Sequence, residues 1–375
     1  MKIGTIRGIE IDLHYSTLVI IGLVGFYAAN FYNQFVSNPT IFELIIVGII
    51  NGVILLLSIL AHELMHSFVA QEEGMEVPKI TFYLFGGVSS IDEEPKSPMS
   101  EFKIAAVGPV SSLIIGGSLL ISLFVPTIFL EITYPSILAV TLLYMGISNI
   151  ALGIFNFLPA FPMDGGRVLR SYLWHKKDNN LIDATKTASR VGKYFGYGMV
   201  AYGFFQMFFL GLFGGLWMVV IGWFLANSAK QAVQQTIMEV RLKEMKAKDM
   251  MHKYDVNVPA EITVNEAIKD YFMPYRRAYF PVTRHNQTIG ILHAESVRDI
   301  PNERRDQVKV EEIMRENADI PVVGADEPGN EVLKKLKRAE EEPRIVRITN
   351  GETEVLGFVD KNDIRSALEV SQLFS

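Results

Sequence analysis

The chain has 375 residues, a net charge of −6, 49% hydrophobic residues and a mean hydropathy of +0.24. This hydrophobic content exceeds that of an ordinary soluble enzyme, and a negative charge without a long basic run argues against a nucleic-acid partner. The sequence contains no cysteine. Disulfides and thiolate metal sites are therefore excluded, and any metal must be held by histidine and carboxylate side chains.

The hydrophobic residues are unevenly distributed and indicate two regions. Nearly all long apolar runs lie between residues 13 and 227, whereas the sequence from about residue 230 is charged. We therefore predict a membrane domain over 1–227, a helical linker over 228–245 and a soluble part over 246–370. The start of the chain has mixed charge and the first apolar run lacks a small-residue cleavage site, which is typical of a retained span rather than a signal peptide.

Six stretches are apolar and long enough to be transmembrane helices, each of which needs roughly 20 residues. They are 14–32, 42–70, 103–125, 136–158, 194–209 and 211–227. The connections 33–41 and 126–135 and the turn near 210 contain no Lys or Arg, whereas the connections on the other side are basic. By the positive-inside rule, we expect both termini and the soluble part to be cytosolic, in a multi-pass protein of a prokaryotic cell membrane.

The second span ends with the sequence HELMH at residues 62–66. His62 and His66 lie four residues apart, so on a helix they share one face and can bind one ion together. Glu63 lies next to that face, where a carboxylate takes a proton from a metal-activated water. Ionisable side chains in membrane spans are costly and usually functional. The alternative is that both histidines are merely solvated at the end of the helix.

Two histidines make an incomplete site, because catalytic zinc usually has three protein ligands. The fourth span ends in NFLPAFPMDGG, residues 156–166, where two prolines stop the helix and two glycines free the backbone. The second and fourth spans run in the same direction, so Asp164 reaches a depth comparable with that of His62 and is our predicted third ligand. Its alternative role is an N-cap for a helix that starts at Gly165.

A β-hairpin is predicted between the second and third spans. The sequence KITFYLFGGVSSIDEE, residues 79–94, is rich in β-branched and aromatic residues around a Gly-Gly break. An edge strand beside the predicted metal site can pair with an extended peptide, and we assign that contact to Phe85, Gly86 and Gly87. The alternative is a surface hairpin that only connects the two spans.

Together, the motifs HELMH, FGG at 85–87 and NFLPAFPMDGG resemble the site-2 protease family of intramembrane zinc metalloproteases. The resemblance covers residues 1–227. It implies a bundle of six transmembrane helices around one Zn²⁺ ion, and hydrolysis of a peptide bond within a transmembrane segment of a substrate protein.

By this resemblance His62, His66 and Asp164 hold the zinc ion and Glu63 is the general base. Asn156 supplies an amide that contacts the oxyanion or the substrate. The family often has Gly-Pro-x-x-Asn in its third span. Here the sequence GPVSS places Ser112 where Asn is frequent, so the contact made at that position is an open question.

The soluble part contains an internal repeat, with units at about 246–306 and 307–370. The repeated order of helix turn, strand, helix, two strands and helix resembles a tandem pair of CBS domains. Such pairs bind adenine nucleotides such as ATP or AMP between the repeats, or simply dimerise. The resemblance therefore implies a homodimer through this module, with nucleotide regulation as one alternative and dimerisation alone as the other.

By the resemblance to CBS domains, an aspartate a few residues after a glycine of the repeat holds the ribose of the nucleotide. Asp363 occupies that place in the second repeat, with Asp360 three residues before it. His293 and Ser296 stand in the corresponding places of the first repeat. One nucleotide site is therefore predicted at Asp360 and Asp363, in the second repeat.

These predictions describe a membrane all-α bundle of six transmembrane helices with a membrane-associated β-hairpin, followed by a soluble α/β CBS pair. The leading hypothesis is an intramembrane zinc protease. One alternative is an ion transporter regulated by its CBS module, since intramembrane histidines and carboxylates also mark ion paths. Another is an inactive relative that only binds membrane segments, which would be expected to lack Glu63 or a ligand.

Overall fold

A computed structural model describes residues 2–83, 86–90, 94–176, 180–211, 214–251, 256–285, 287–339, 344–351 and 354–373. The chain divides into two compact units, Met1–Thr236 and Ile237–Ser375. The strands of the first unit are β1 (Lys2–Ile6), β2 (Ile9–Leu13), β3 (Lys79–Tyr83) and β4 (Gly86–Ser90). Its helices are α1 (Thr17–Phe35), α2 (Ile41–Glu72), α3 (Pro98–Phe129), α4 (Ser136–Asn156), α5 (Asp164–Lys176), α6 (Leu181–Leu210) and α7 (Gly214–Glu244), the last of which continues into the second unit.

Four helices among the described residues, α1 to α4, are long and apolar enough to cross a membrane. They coincide with the first four predicted spans, and their surfaces carry large apolar side chains such as Leu18, Phe26 and Ile49, each more than half exposed. α6 and α7 cover the predicted fifth and sixth spans, but glycines, polar residues and basic ends lower their hydropathy. The count of six spans therefore stays a prediction.

Polar pairs join α2 to α4 inside this apolar bundle. Asn51 donates to the Thr141 hydroxyl at 3.2 Å, and Asn149 donates to the Ser58 hydroxyl at 3.1 Å. All four side chains are buried. Hydrogen bonds between spans set their register, because a polar group left unpaired in an apolar surrounding is costly. The two pairs therefore fix α4 against the part of α2 that precedes the HELMH sequence.

The first unit also contains a four-stranded sheet in the order β1-β2-β3-β4. β3 and β4 pair antiparallel, with Phe82 opposite Gly87, and β2 pairs parallel with β3, with Ile11 opposite Ile80. Buried residues of β2 and β3 pack against the C-terminal part of α2, which includes Leu64 and Phe68. This packing places the edge strand β4 beside the predicted site.

The sequence prediction missed β1 and β2, and it wrongly extended the first span to residue 14, three residues before α1 begins. The reason is that β1 and β2 are only five residues long each, and that β2 pairs with β3 across more than 60 residues of intervening chain. No local pattern carries such a pairing.

The second unit contains the two repeats. Its helices are α8 (Ala247–Met250), α9 (Val264–Ala267), α10 (Met273–Tyr275), α11 (Ala294–Arg298), α12 (Val310–Ile313), α13 (Gly329–Arg338) and α14 (Lys361–Leu373). Its strands are β5 (Val258–Pro259), β6 (Tyr279–Arg284), β7 (Gln287–His293), β8 (Arg315–Glu316), β9 (Val322–Gly324), β10 (Val346–Asn350) and β11 (Glu354–Val359).

The two repeats have the same strand directions. β5 is parallel to β6, which is antiparallel to β7, and β9 is parallel to β10, which is antiparallel to β11. Each repeat has an apolar core that the first helix of the other repeat completes, because Val310 lies in the core of the first repeat and Ala247 and Met250 lie in the core of the second. A further buried cluster joins them, with Tyr279 and Ile291 from the first repeat packed against Ile345 and Phe358 from the second. The repeats therefore form one body within this unit.

A buried ion cluster joins α5 to the start of α3. The Arg170 guanidinium donates to Glu101 Oε1 at 2.6 Å and to the two carboxylate oxygens of Glu94 at 2.9 and 3.3 Å. It also lies 3.3 Å from the Thr236 hydroxyl on α7. Burial alone would lower the pKa of Arg170, but the two carboxylates raise it above its ordinary value. The guanidinium therefore stays charged. Its contacts with Glu101 at the start of α3, with Glu94 and with Thr236 on α7 connect these parts of the chain to α5.

Replacing Arg170 is expected to destabilise the protein strongly. Arg170→Gln leaves the Glu101 carboxylate buried without its main partner, which costs about 3–5 kcal/mol. The double variant Arg170→Gln/Glu101→Gln removes that stranded charge and should recover part of the loss. Thermal unfolding in detergent measures both effects.

The matched control is Arg167→Gln, because Arg167 is more exposed and lies 3.8 Å from the same carboxylate. It should cost much less than Arg170→Gln. A double variant that is no more stable than Arg170→Gln alone would contradict the stranded-charge explanation.

Candidate metal centre

The structure brings His62, His66 and Asp164 together. The two histidines are buried on one face of α2, and Asp164 is the first residue of α5. Asp164 Oδ2 lies 3.1 Å from His62 Nε2 and 3.2 Å from His66 Nε2, and the two Nε2 atoms are 3.1 Å apart. Three potential ligand atoms from parts of the chain about 100 residues apart therefore face one point.

These distances fit a small divalent ion. Ligands at 2.0–2.1 Å from a tetrahedral zinc ion lie roughly 3.3 Å from one another. The observed separations of 3.1–3.2 Å are close to that value. The donor set of two imidazole nitrogens and one carboxylate oxygen is also one that catalytic zinc uses.

Each histidine has a partner on α3 that orients its ring. His66 Nδ1 donates to the carbonyl oxygen of Ile104 at 2.6 Å, since a carbonyl can only accept. In the neutral ring Nε2 is then unprotonated and free to bind a metal. His62 Nδ1 lies 2.9 Å from the Ser112 hydroxyl, which is fully buried. The structure therefore answers the question left open at Ser112, because its hydroxyl contacts a histidine of the candidate site.

Asp164 is held as an anion. Burial by itself would raise the pKa of Asp164, but the adjacent His66 and His62 lower it well below the usual value for aspartate. α5 starts at Asp164, so this residue stands at the N-terminus of a helix, where a side chain can cap the first turn. The carboxylate lies against the two imidazoles.

Glycine permits the close packing of α3 on α2. A Cβ atom at Gly108 would lie 2.1 Å from His66 Nε2, so any side chain there would occupy the metal site. On α5, Gly165 also permits close packing, since a Cβ atom there would lie 2.2 Å from the Phe157 carbonyl oxygen. These two positions let α3 and the segment after α4 approach the ligands.

The edge strand β4 lies against Glu63. A Cβ atom at Gly87 would be 2.5 Å from Glu63 Cγ, so the β4 backbone passes directly over this side chain. Gly86 is the first residue of β4, paired with Tyr83. Phe85, the third residue of the predicted substrate contact, lies outside the described residues.

The other predicted site residues stand at helix ends. Asn156 is the last residue of α4, and its amide donates to the Leu152 carbonyl at 3.0 Å. Asp360 and Asp363 cap α14 reciprocally, because the Asp363 carboxylate accepts from the Asp360 N–H and the Asp360 carboxylate accepts from the Asp363 N–H, both at 2.8 Å. Asp363 also accepts from the Tyr279 hydroxyl at 3.2 Å. Their proposed functions remain predictions.

Comparison with known proteins identifies the family. Residues 51–135 and 128–198 match Peptidase family M50, and residues 310–370 match the CBS domain. The putative zinc metalloprotease Rip3 of Mycobacterium tuberculosis is 30% identical over 377 residues, covering 100% of this chain and 94% of that protein. The chain belongs to the site-2 protease family of zinc metalloproteases, Peptidase family M50.

A second relative and a solved structure are also similar to this chain. A putative zinc metalloprotease of Synechocystis is 30% identical over 378 residues, covering 99% of this chain and 96% of that protein. The solved site-2 protease from Methanocaldococcus jannaschii is 31% identical, with 62% of this chain and 94% of that chain covered and a TM-score of 0.42. The resemblance inferred from HELMH and NFLPAFPMDGG is confirmed, and the family favours a protease over an ion transporter.

Sequence reasoning missed several residues of this M50 site. Ser112 and Gly108 belong to the motif GPVSS. The sequence contains the motif, but it did not predict that Ser112 contacts His62 or that Gly108 lies against His66. Ile104 contributes only its backbone carbonyl, so its side chain carries no signal. Arg170 follows the DGG sequence closely, but nothing in the sequence pairs it with Glu101.

Removing the Ser112 hydroxyl should weaken metal binding by the site-2 protease. Ser112→Ala frees the His62 ring to rotate, and loss of such an orienting partner typically costs 10–100-fold in metal affinity. Competition with a graded metal chelator, followed by metal analysis, measures the change.

Ser111→Ala is the control, because the Ser111 hydroxyl donates to the Gly108 carbonyl within α3 and leaves the histidines untouched. Equal metal affinity in the two variants would show that the Ser112 contact does not orient His62.

Proposed function

We propose that this site-2 protease is a zinc-dependent intramembrane endopeptidase that cleaves a peptide bond within a transmembrane segment of a substrate protein. The observation that carries the proposal is the convergence of His62, His66 and Asp164 within a unit built from apolar helices, with Glu63 next to His62. A metal site among apolar helices suits a substrate that is itself embedded in lipid.

His62, His66 and Asp164 would hold one zinc ion per chain. When bound, the ion supplies Lewis acidity, which makes a water molecule more acidic and a substrate carbonyl more electrophilic. The Ile104 carbonyl and the Ser112 hydroxyl keep the two imidazoles pointed at that position. The negative charge of Asp164 offsets part of the charge of the ion.

Glu63 would act as general base and then as general acid. Its carboxylate accepts a proton from the attacking water and passes it to the departing amine. Glu63 is next to His62 on α2 without being one of the three converging groups, as expected for a base that does not bind the metal. The amide of Asn156, at the end of α4, is proposed to contact the oxyanion or the substrate.

Strand β4 would hold the unwound substrate. The carbonyls of a helical segment are hydrogen-bonded, so a substrate must become extended before it can be attacked. β4 is the outer strand of its sheet, and its Gly87 backbone lies against Glu63. A peptide paired with this edge by backbone hydrogen bonds would therefore lie next to the base.

The proposed orientation follows from the basic residues. With six spans formed by α1 to α4, α6 and α7, the connections rich in Lys and Arg lie on one side of the membrane, and that side is cytosolic by the positive-inside rule. HELMH lies towards the cytosolic end of α2 in this arrangement. Water then reaches the site from the cytosol, and the CBS unit is cytosolic.

Replacing the proposed base should separate catalysis from metal binding. Glu63→Gln is expected to abolish cleavage of a membrane-span substrate while about one zinc per chain is retained, because the amide cannot take the proton. Asp164→Asn should lose both zinc and activity. After purification in detergent, metal analysis and a cleavage assay give the two measurements.

The same substitution at the exposed C-terminal end of α2, Glu72→Gln, serves as the control and should leave both zinc and cleavage unchanged. Cleavage by Glu63→Gln at the wild-type rate would refute the assigned mechanism. Loss of zinc from Glu63→Gln would instead make Glu63 a ligand.

We further propose that the CBS unit regulates the protease by binding an adenine nucleotide, and that it forms a homodimer. The support is the position of Asp363, a buried carboxylate at the start of α14 that contacts Tyr279 of the other repeat. A ligand at this point would bridge both repeats. The corresponding residue pair of the first repeat begins with His293, which caps α11 through its ring.

Nucleotide binding should raise the thermal stability of the full chain. A ligand at a hundred times its dissociation constant adds about 2.7 kcal/mol, so millimolar ATP or AMP should raise the melting temperature measurably. Asp363→Asn keeps an oxygen for the helix cap and removes the charge, and should abolish the increase.

Asp326→Asn is the control, since Asp326 is an exposed carboxylate paired with Lys246 and Lys248. No stabilisation of the wild type by either nucleotide, together with a dimer by mass measurement, would favour the alternative of dimerisation alone.

A further inference from the structure

A basic groove of about 330 Å³ lies between α6 and α7 within the first unit. Its rim carries four cationic side chains, and the candidate metal centre contributes none of its lining. Three of the cations, Lys186, Arg190 and Lys193, follow one another on one face of α6, and Lys230 stands on α7. All four are exposed.

Close packing of the two helices creates the groove. A Cβ atom at Gly196 would lie 2.6 Å from the Gly222 carbonyl oxygen, so the backbones nearly touch at this crossing. At the floor of the groove the buried Ser189 hydroxyl donates to the Ala229 carbonyl at 2.7 Å. The long basic side chains of α6 and α7 therefore border the groove on both sides, and the hydrogen bond between the helices holds its floor in place.

The positive charge of the groove is largely uncompensated. Its lining contains no Asp or Glu among the described residues. Lys186 has a surface ion pair with Asp183 at 3.6 Å, and Lys193 lies 5.6 Å above the Tyr197 ring. Within the described ranges, Arg190 and Lys230 have no carboxylate within salt-bridge distance. Cations that converge in this way from two helices suit an anion with several oxygens, such as a phosphate group.

The position of the groove along the helices favours a lipid as the source of that phosphate. The groove lies just before the apolar part of α6, which begins near residue 194, and just after the apolar part of α7, which ends near residue 227. Exposed Tyr194, Tyr197 and Trp223 stand close by in the sequence, as is typical of the boundary between hydrocarbon and water. Basic pockets between helices at this level bind anionic headgroups.

We propose that this groove binds the phosphate-bearing headgroup of an anionic phospholipid. The inference rests on the proposed membrane orientation, in which the groove faces the cytosolic leaflet, but not on the proposed catalytic mechanism. Basic residues that served only to orient the helices would have no need to converge on one cavity. The lipid would hold α6 to α7 on the side of the membrane where the CBS unit follows.

The test compares lipid binding by two charge-matched variants of the full chain in detergent. Arg190→Gln/Lys230→Gln removes one groove cation from each helix, and Lys96→Gln/Lys176→Gln removes two exposed cations elsewhere in the same unit. Native mass spectrometry and thermal stability are followed with short-chain phosphatidylglycerol, and with phosphatidylcholine as the neutral-lipid control. The groove variant should lose about tenfold or more in phosphatidylglycerol affinity, whereas the other variant should keep wild-type affinity.

Two results would overturn the proposal. Equal losses in both variants would mean diffuse attraction to the whole basic surface, and displacement of the lipid by equal concentrations of inorganic phosphate would mean that the groove takes a soluble anion. The charge-preserving variant Arg190→Lys/Lys230→Arg should retain binding, so a folding defect can be told from a loss of charge. Binding is measured in the Glu63→Gln background as well, so failure of the protease mechanism would leave this result unaffected.

Discussion

The first unit depends on holding two imidazoles and a carboxylate about 3 Å apart in an apolar surrounding. Polar groups in such surroundings are stable only when each has a partner. His66 donates to the Ile104 carbonyl and His62 contacts Ser112, so one nitrogen of each ring is satisfied by α3. The other nitrogens face Asp164, and a divalent ion between the three groups would satisfy all of them at once.

The scaffold around this site is arranged so that three helices cannot move independently. α2 carries the histidines, α3 orients them, and α5 brings Asp164. The buried cluster of Arg170 with Glu101 and Glu94 ties α5 to the start of α3, which couples the position of Asp164 to that of the orienting groups. Gly108 allows α3 to approach closely enough for the hydrogen bonds to form. The sheet then places strand β4 over Glu63, next to the same site.

The chain combines this membrane unit with a CBS pair, and α7 runs without interruption from the first unit into the second. The proposed lipid groove lies on α7 before that junction, and the proposed nucleotide site lies in the second unit. Both would bind phosphate-bearing ligands. The ligand of the groove would be a membrane lipid, and that of the second unit would be a soluble nucleotide. The protease would therefore bind two different ligands at separate sites, and each can be tested by a binding measurement that does not require cleavage.

The amino-acid sequence by itself predicted the first four apolar helices, the position of His62 and His66 on one helix face and Asp164 as their partner, because helical period, span length and proline positions are local or nearly local properties. It also indicated the repeat in the second unit. Only the tertiary structure decided the partners of the histidines, the Arg170 cluster and the parallel pairing of β2 with β3. These contacts join residues tens of positions apart, and their energy comes from burial and hydrogen bonding that exist only once the helices have packed.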